Sequence, residues 1–314
     1  AGTPSPHWIF HDLAVRPSGR RDHSLTLDTK RNRVFLFGGK REGVLDDAWI
    51  MDLRTTQWRS VGGSRSPGGR RGHTAIYDAD RDRVVVFGGE TDSGFLNDVW
   101  AFDLETETWA FLGGLGSKPV PRYGLSAILD PGSDRMVISH GFSSNGRFDD
   151  TWAFDLETHV WSELRPGGDL PQARCLHDMV IDSDGDHAYL FGGCSSGIGP
   201  CPRGDLWRYD LVQNLWTELS PEGDRPTDRA NLRLAYDTAK ERVLLFAGSD
   251  VRGTRDIWAL DPEAVTWKQL EPTGDSPPVR WSSGIVFDAG QNRLLMFGGT
   301  DGAIFLDDFW ELRF

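Results

Sequence analysis

One pattern is written six times along this chain of 314 residues. Each copy opens on an arginine: Arg20, Arg70, Arg122, Arg174, Arg229 and Arg280, spaced by 50, 52, 52, 55 and 51 residues. Eight residues later an Asp closes an apolar run. A polar turn ending in a base follows, then a hydrophobic run that in most copies ends Phe-Gly-Gly, and then Asp-x-Trp. A second Trp stands nine residues beyond the first in five copies. A period near fifty that holds from end to end means stacked supersecondary units, each unable to bury its own apolar face. No Pro/Ser-rich linker or charge block separates the copies, so residues 1–314 are expected to form one closed array in a single domain. Residues common to all copies then belong to the fold, and departures from the pattern become candidates for function.

The second copy shows how a unit folds. His73-Thr-Ala-Ile-Tyr77 is rich in strand formers, and Asp78 to Arg83 is a polar turn. Val84-Val-Val-Phe87 is apolar, β-branched and too short for a buried helix, so it reads as a buried strand. Gly88-Gly89 stops it. Asp98-Val-Trp100-Ala-Phe-Asp103 and Trp109-Ala-Phe-Leu112 supply a third and a fourth strand around the turn at Glu105. Four antiparallel strands with short turns make one blade of a propeller. Trp49, Trp100, Trp152, Trp207, Trp258 and Trp310 recur on the third strand, and Trp58, Trp109, Trp161, Trp216 and Trp267 on the fourth. At roughly 150–250 Å² buried per indole, they are the expected cement between blades.

The Arg-x-x-His start of copies one, two and four, the Phe-Gly-Gly, Leu-Asn-Asp-Val-Trp at 96–100 and Asp-Leu-Glu-Thr-x-x-Trp at 103–109 resemble the kelch repeat, over nearly the whole chain. The resemblance implies a β-propeller, and the six copies imply six blades: an all-β fold of four-stranded antiparallel sheets. The sixth copy ends at Phe314 without its fourth strand, while Trp8 precedes Arg20 by 12 residues, the gap that separates Trp58 from Arg70. The N-terminal strand, roughly residues 6–13, should therefore complete the last blade and close the ring.

Thirty-four bases against forty-seven acids give a net charge of −13, which argues against nucleic acid as a partner. No apolar stretch approaches the roughly 18–20 residues of a membrane span. Neither a signal peptide nor a cofactor motif is legible, and the chain reads as a soluble monomer. Cys194 and Cys201 flank a Ser/Gly/Pro loop and could form one short bridge. That pairing favours a secreted or periplasmic setting over the cytoplasm, while an unpaired Cys175 argues the other way.

Strand direction sorts the loops into two faces. The turns within strand pairs are short and regular. The loops between strands two and three, and those between blades, vary in length and chemistry and define an upper face suited to binding. On the turn face Asp182-Ser-Asp-Gly-Asp186 superficially resembles a calcium loop, but it is the standard six-residue turn with extra acids. Its end residues, Asp and a base in every copy, suit a local ion pair, and no metal site is expected there.

The six arginines stand near the upper mouth of the expected channel. In kelch domains that bind acidic peptides, arginines at similar positions meet ligand carboxylates. The resemblance thus makes Arg20, Arg70, Arg122, Arg174, Arg229 and Arg280 candidates for bidentate anion contacts. Their repetition equally suits a structural role, pairing with a loop acid or capping carbonyls between blades. The next residues break the pattern: Arg21, Arg71, Tyr123, Cys175, Ala230 and Trp281. Tyr123 and Trp281 could wall a pocket. In the third copy Ser139-His140-Gly141 replaces Phe-Gly-Gly, and His140 is either a candidate general base or a gap filler bonded to a neighbouring carbonyl. His23, His73 and His177 share one repeat position, which suits a structural role better than a metal site.

Some kelch-like proteins are enzymes. Oxidases resembling galactose oxidase need two His, two Tyr and a Cys crosslinked to a Tyr, and the five Tyr here do not cluster with Cys and His. The Glu-x-x-x-Asp-x-x-x-His iron signature of nitrile-specifier proteins is absent. The expected function is therefore non-enzymatic recognition of a protein segment or a small polar or acidic ligand at the upper face. A hydrolase, lyase or isomerase at the channel mouth, with His140 as base, and a carbohydrate-binding propeller stacking sugars on Trp281 and Tyr123, are the alternatives.

Overall fold

A computed structural model describes residues 5–63, 65–195 and 201–314. Six four-stranded antiparallel sheets surround a central channel. Blade one runs Ser24–Asp28, Arg33–Phe37, Ala48–Asp52 and Gln57–Val61 from the channel outward. The innermost strands of the others are Thr74–Asp78, Ser126–Asp130, Asp178–Ile181, Arg233–Asp237 and Gly284–Asp288. Each innermost strand packs against those of the two neighbouring blades, so the ring is continuous. Among the described residues no helix is long and apolar enough to cross a membrane.

The ring closes as its sequence implies. His7–His11 pairs antiparallel with Phe309–Arg313, with Trp8 opposite Leu312 and Phe10 opposite Trp310. Trp8 is only 5% exposed and its ring lies 5.5 Å from Phe246 of blade five. That contact belongs to a series. The outermost-strand Trp of a blade packs against the Phe of the preceding blade's Phe-Gly-Gly or Phe-Ala-Gly in five cases, with centroids 4.7–5.6 Å apart.

Blade three is the exception, because Ser139 stands where that Phe should be. There Trp216 meets the ring of His140 instead, at 6.3 Å.

The double glycine has a steric reason. Gly38 and Gly39 sit at φ +65° and +101°, in the left-handed region that favours glycine. A Cβ on Gly38 would come within 2.7 Å of the Arg70 carbonyl oxygen, and one on Gly39 within 2.9 Å of the His23 Cβ. The chain thus passes between its own blade and the next with no room for a side chain.

At the opposite face each six-residue turn is closed by an ion pair between its ends: Arg33–Asp28, Arg83–Asp78, Arg135–Asp130, Arg242–Asp237 and Arg293–Asp288. Blade four uses His187 Nδ1 against Asp182 at 3.2 Å. Asp182 Oδ1 also accepts from the backbone N–H groups of Gly185, Asp186 and His187, so this acid-rich turn spends its carboxylate on its own backbone.

Candidate recognition site at the upper mouth

The six arginines are 0% exposed. Each grips the Asp of its own blade's Asp-x-Trp through two bonds of 2.5–3.0 Å, the carboxylates being Asp47, Asp98, Asp150, Asp205, Asp256 and Asp308. Nη1 also donates to the carbonyl 18 residues on, at 2.9–3.0 Å. The same Asp accepts from the indole Nε1–H two residues later, at 2.6–2.8 Å. Burial alone would push Asp205 up, but the bonds and charge of Arg174 more than offset it and hold the carboxyl well below its ordinary range. Each Arg–Asp–Trp unit is therefore satisfied internally. A ligand carboxylate could reach one of these guanidiniums only by opening its pair, and the geometry matches the pairing role rather than ligand contact.

What the arginines hold in place is the rim. Their own carbonyls accept from the second glycine of the preceding blade, as in Gly39 N to Arg70 O at 2.8 Å. Two residues after each arginine stand Asp22, Gly72, Gly124, Leu176, Asn231 and Ser282, all at φ between 54° and 63°. Each N–H donates to the carbonyl of its counterpart in the preceding blade at 2.8–3.1 Å, which makes a closed circle of six hydrogen bonds around the channel. This circle was not foreseen from sequence. Its residues share no side-chain type, only a backbone conformation.

Above this circle the six-fold symmetry breaks. The residue after each arginine pairs across a short bridge with the residue after the double glycine: Arg21 with Lys40, Arg71 with Glu90, Tyr123 with Phe142, Cys175 with Cys194, Ala230 with Ser249, and Trp281 with Thr300. Blades one and two are thus charged. Arg71 reaches Glu90 and Asp22 and also lies over the Tyr123 ring, 5.1 Å from its centroid. Tyr123 stacks on Phe95 at 6.0 Å and meets Phe142 edge-on at 5.7 Å. Burial pushes its phenol up to about 12, so the ring is neutral at physiological pH. Trp281 is half-buried between two loops: Cβ atoms on Gly253 and Gly302 would both fall 2.9 Å from its ring. Its role includes packing blades five and six, with Val251 and Ile304 exposed on the flanking loops.

His140 is fully buried at φ +61°. Its Nδ1 bonds Ser139 Oγ, and Nε2 lies 3.3 Å from the Pro171 carbonyl oxygen. Burial, and then the charge of Arg174, lower its pKa to about 3. The imidazole is neutral and both nitrogens are occupied, which is the environment of a gap filler; a general base needs a free lone pair facing substrate. His23, His73 and His177 are buried in separate blades, His177 edge-on to His140 with centroids 5.3 Å apart, and among the described residues no group of His, Cys, Asp or Glu is arranged to hold a metal.

Cys194 and Cys201 form a disulfide, and Cys175 is a buried free thiol. Arg147 Nε donates to its sulfur at 3.4 Å. Residues 196–200, half of the Cys194–Arg203 loop expected at this face, lie outside the described residues.

Sequence reasoning also missed two residues inside the channel, Asp178 and Arg233. They stand where Ser24, Thr74, Ser126 and Gly284 occupy the other blades. The signal was present: a small residue follows the Arg-x-x-His position in four copies, and a charged one in two adjacent copies.

A six-bladed ring held by repeated Arg–Asp–Trp units and double glycines defines a propeller of the kelch type. The KLHDC2/KLHL20/DRC7 Kelch-repeats domain matches residues 12–193 and 182–314, and the chain belongs to the kelch-repeat family. Among its relatives is Adagio-like protein 1 of Oryza sativa subsp. japonica, 32% identical over 308 residues, covering 90% of this chain and 48% of that protein. Adagio protein 3 of Arabidopsis thaliana is 31% identical over 303 residues, covering 90% of this chain and 48% of its own length. Kelch domain-containing protein 3 of Bos taurus is 27% identical over 221 residues, with 66% and 55% covered. The chain spans about half the length of these relatives.

Proposed function

We propose that residues 1–314 act as one recognition module that binds a protein segment at the upper mouth. The observation that carries this reading is the broken symmetry of the rim: basic in blade one, charged in blade two, aromatic in blade three and apolar at the loop tips of blades five and six. Repetition accounts for the Arg–Asp–Trp units and the backbone circle beneath that rim as folding. Arg21 and Lys40 offer charge to acidic groups, and Phe95, Tyr123 and Phe142 offer ring surface beside them. The buried arginines contribute by fixing the rim backbone. The favoured ligand is an acidic segment that also carries an apolar or aromatic anchor.

Selection from a random peptide library on the immobilised chain tests this. Enriched sequences should combine acids with an aromatic or large aliphatic residue. Enrichment of basic sequences, or none above an unrelated propeller control, would overturn the reading.

A further inference from the structure

The channel below the rim holds a second arrangement that protein recognition does not use. It is a cavity of about 190 Å³ lined by residues of all six innermost strands, against the roughly 10–15 Å³ that one water requires. Two of its charged side chains stand in neighbouring blades and yet do not pair. Asp178 is turned to the wall, where Oδ2 accepts from Leu234 N at 2.8 Å and Oδ1 from Met179 N at 3.0 Å and Ser126 Oγ at 3.3 Å. Arg233 extends the other way. Its Nε donates to Ser283 O at 2.6 Å and Nη1 to Leu232 O at 3.3 Å, toward blade six, where Gly284 has no side chain to fill the space. Among the described residues no carboxylate lies within ion-pair distance of Arg233, and Nη2 makes no hydrogen bond.

The groups around that guanidinium are also incomplete. His23 lines the cavity at 3% exposure with both ring nitrogens unbonded. A Cβ on Gly284 would lie 2.8 Å from His23 Nε2, and Arg233 holds the carbonyl of the adjacent Ser283, which sets the guanidinium on the side of the channel that His23 borders. His73 Nε2 lies 2.9 Å from Ser24 Oγ. With the proton on Nε2, the Ser24 hydroxyl is free to donate into the channel. Thr74 adds a second hydroxyl. A partly buried cation lining a polar channel, beside unused donors, attracts a counter-anion.

The geometry points to a small free carboxylate anion, of the size of acetate, bound in the channel by Arg233 Nη2 and the hydroxyls of Ser24 and Thr74. Asp178 restricts the charge: a carboxylate in the same cavity disfavours a dianion. The site lies below the rim and is independent of the peptide-recognition reading, since a free anion needs none of the rim side chains.

Calorimetric titration of the whole chain with sodium acetate, at ionic strength held constant with sodium fluoride, tests the site. One saturable site is expected. Arg233→Gln should weaken it about tenfold or more, the loss of a charged hydrogen-bond donor. Asp178→Asn should tighten it, since a like charge is removed. Unfolding midpoints of both variants without acetate report whether the ring is intact, and Asp178→Asn carries the test if Arg233→Gln does not fold. Absence of saturable binding to the wild-type chain, equal binding by a folded Arg233→Gln, or weaker binding by Asp178→Asn overturns the proposal.

Discussion

Four histidines are sealed between blades, and they should make this ring lose stability in mild acid, well before its carboxylates titrate. His23, His73, His140 and His177 are 0–7% exposed. Burial is the largest cause holding each below its ordinary pKa, with nearby arginines adding to it, and it brings His73 and His140 to about 3. In the unfolded chain an imidazole titrates near 6.5. The folded pKa is the lower one, so the unfolded state binds more protons between the two values, and stability falls as pH drops through that window. For a shift from about 6.5 to about 3, linkage gives a loss of about 2 kcal/mol per histidine between neutrality and about pH 5. His73 and His140 together therefore contribute about 4 kcal/mol, against a typical total of about 5–15 kcal/mol. Urea unfolding followed by tryptophan fluorescence at about pH 7, 6 and 5 measures it. His140→Asn, whose residue tolerates the φ of +61°, should reduce the pH slope by about one proton's worth. A midpoint that stays flat down to about pH 5, or an unchanged slope in His140→Asn, would refute the assignment of these rings as buried and neutral.

Two further perturbations probe the ring. Arg174→Met leaves Asp205 largely buried with only the Nε of Arg203, at 3.1 Å, as charged partner, and should cost about 3–5 kcal/mol in denaturant unfolding. Most of that loss should return in the Arg174→Met, Asp205→Asn double variant, and a loss below about 1 kcal/mol in the single variant would speak against a structural pair. Deletion of residues 1–13 removes Trp8 and the outer strand of blade six, and should cost at least the roughly 3–5 kcal/mol of a buried Trp truncation. Unchanged thermal unfolding would contradict closure of the ring by that strand.

The fold was legible because its instructions are repeated. Any one Asp-x-Trp is a weak signal, but six, each 27–31 residues after one of six arginines, fix blade number, strand order and even the closure through Trp8. The arginines themselves were harder. Position alone suits both a rim contact and an internal pair, and only the geometry shows each guanidinium committed to an Asp 27–31 residues downstream. His140 looked chemical because it replaced a glycine. Its reason lies one residue earlier, where Ser139 gives up the Phe that Trp216 would otherwise pack against. The rim partners Lys40, Phe95 and Phe142 were hidden because they lie on loops whose pairing depends on three-dimensional register. The backbone circle had no side-chain signature to read.

If the repeat builds the ring and departures from it at the upper rim build the binding surface, charge at that rim must govern affinity. The direct measurement is the affinity of a library-selected acidic peptide for the wild-type chain and for the Arg21→Gln, Lys40→Gln double variant, across a salt series. Lys30→Gln, on the turn face, serves as the control. Both exchanged rim residues are partly exposed and outside the Arg–Asp–Trp units, so unfolding midpoints should barely move. The account predicts binding weakened about tenfold with a shallower salt dependence in the double variant, and wild-type binding in Lys30→Gln. Equal affinity of the double variant, or a loss in Lys30→Gln of the same size, would contradict it.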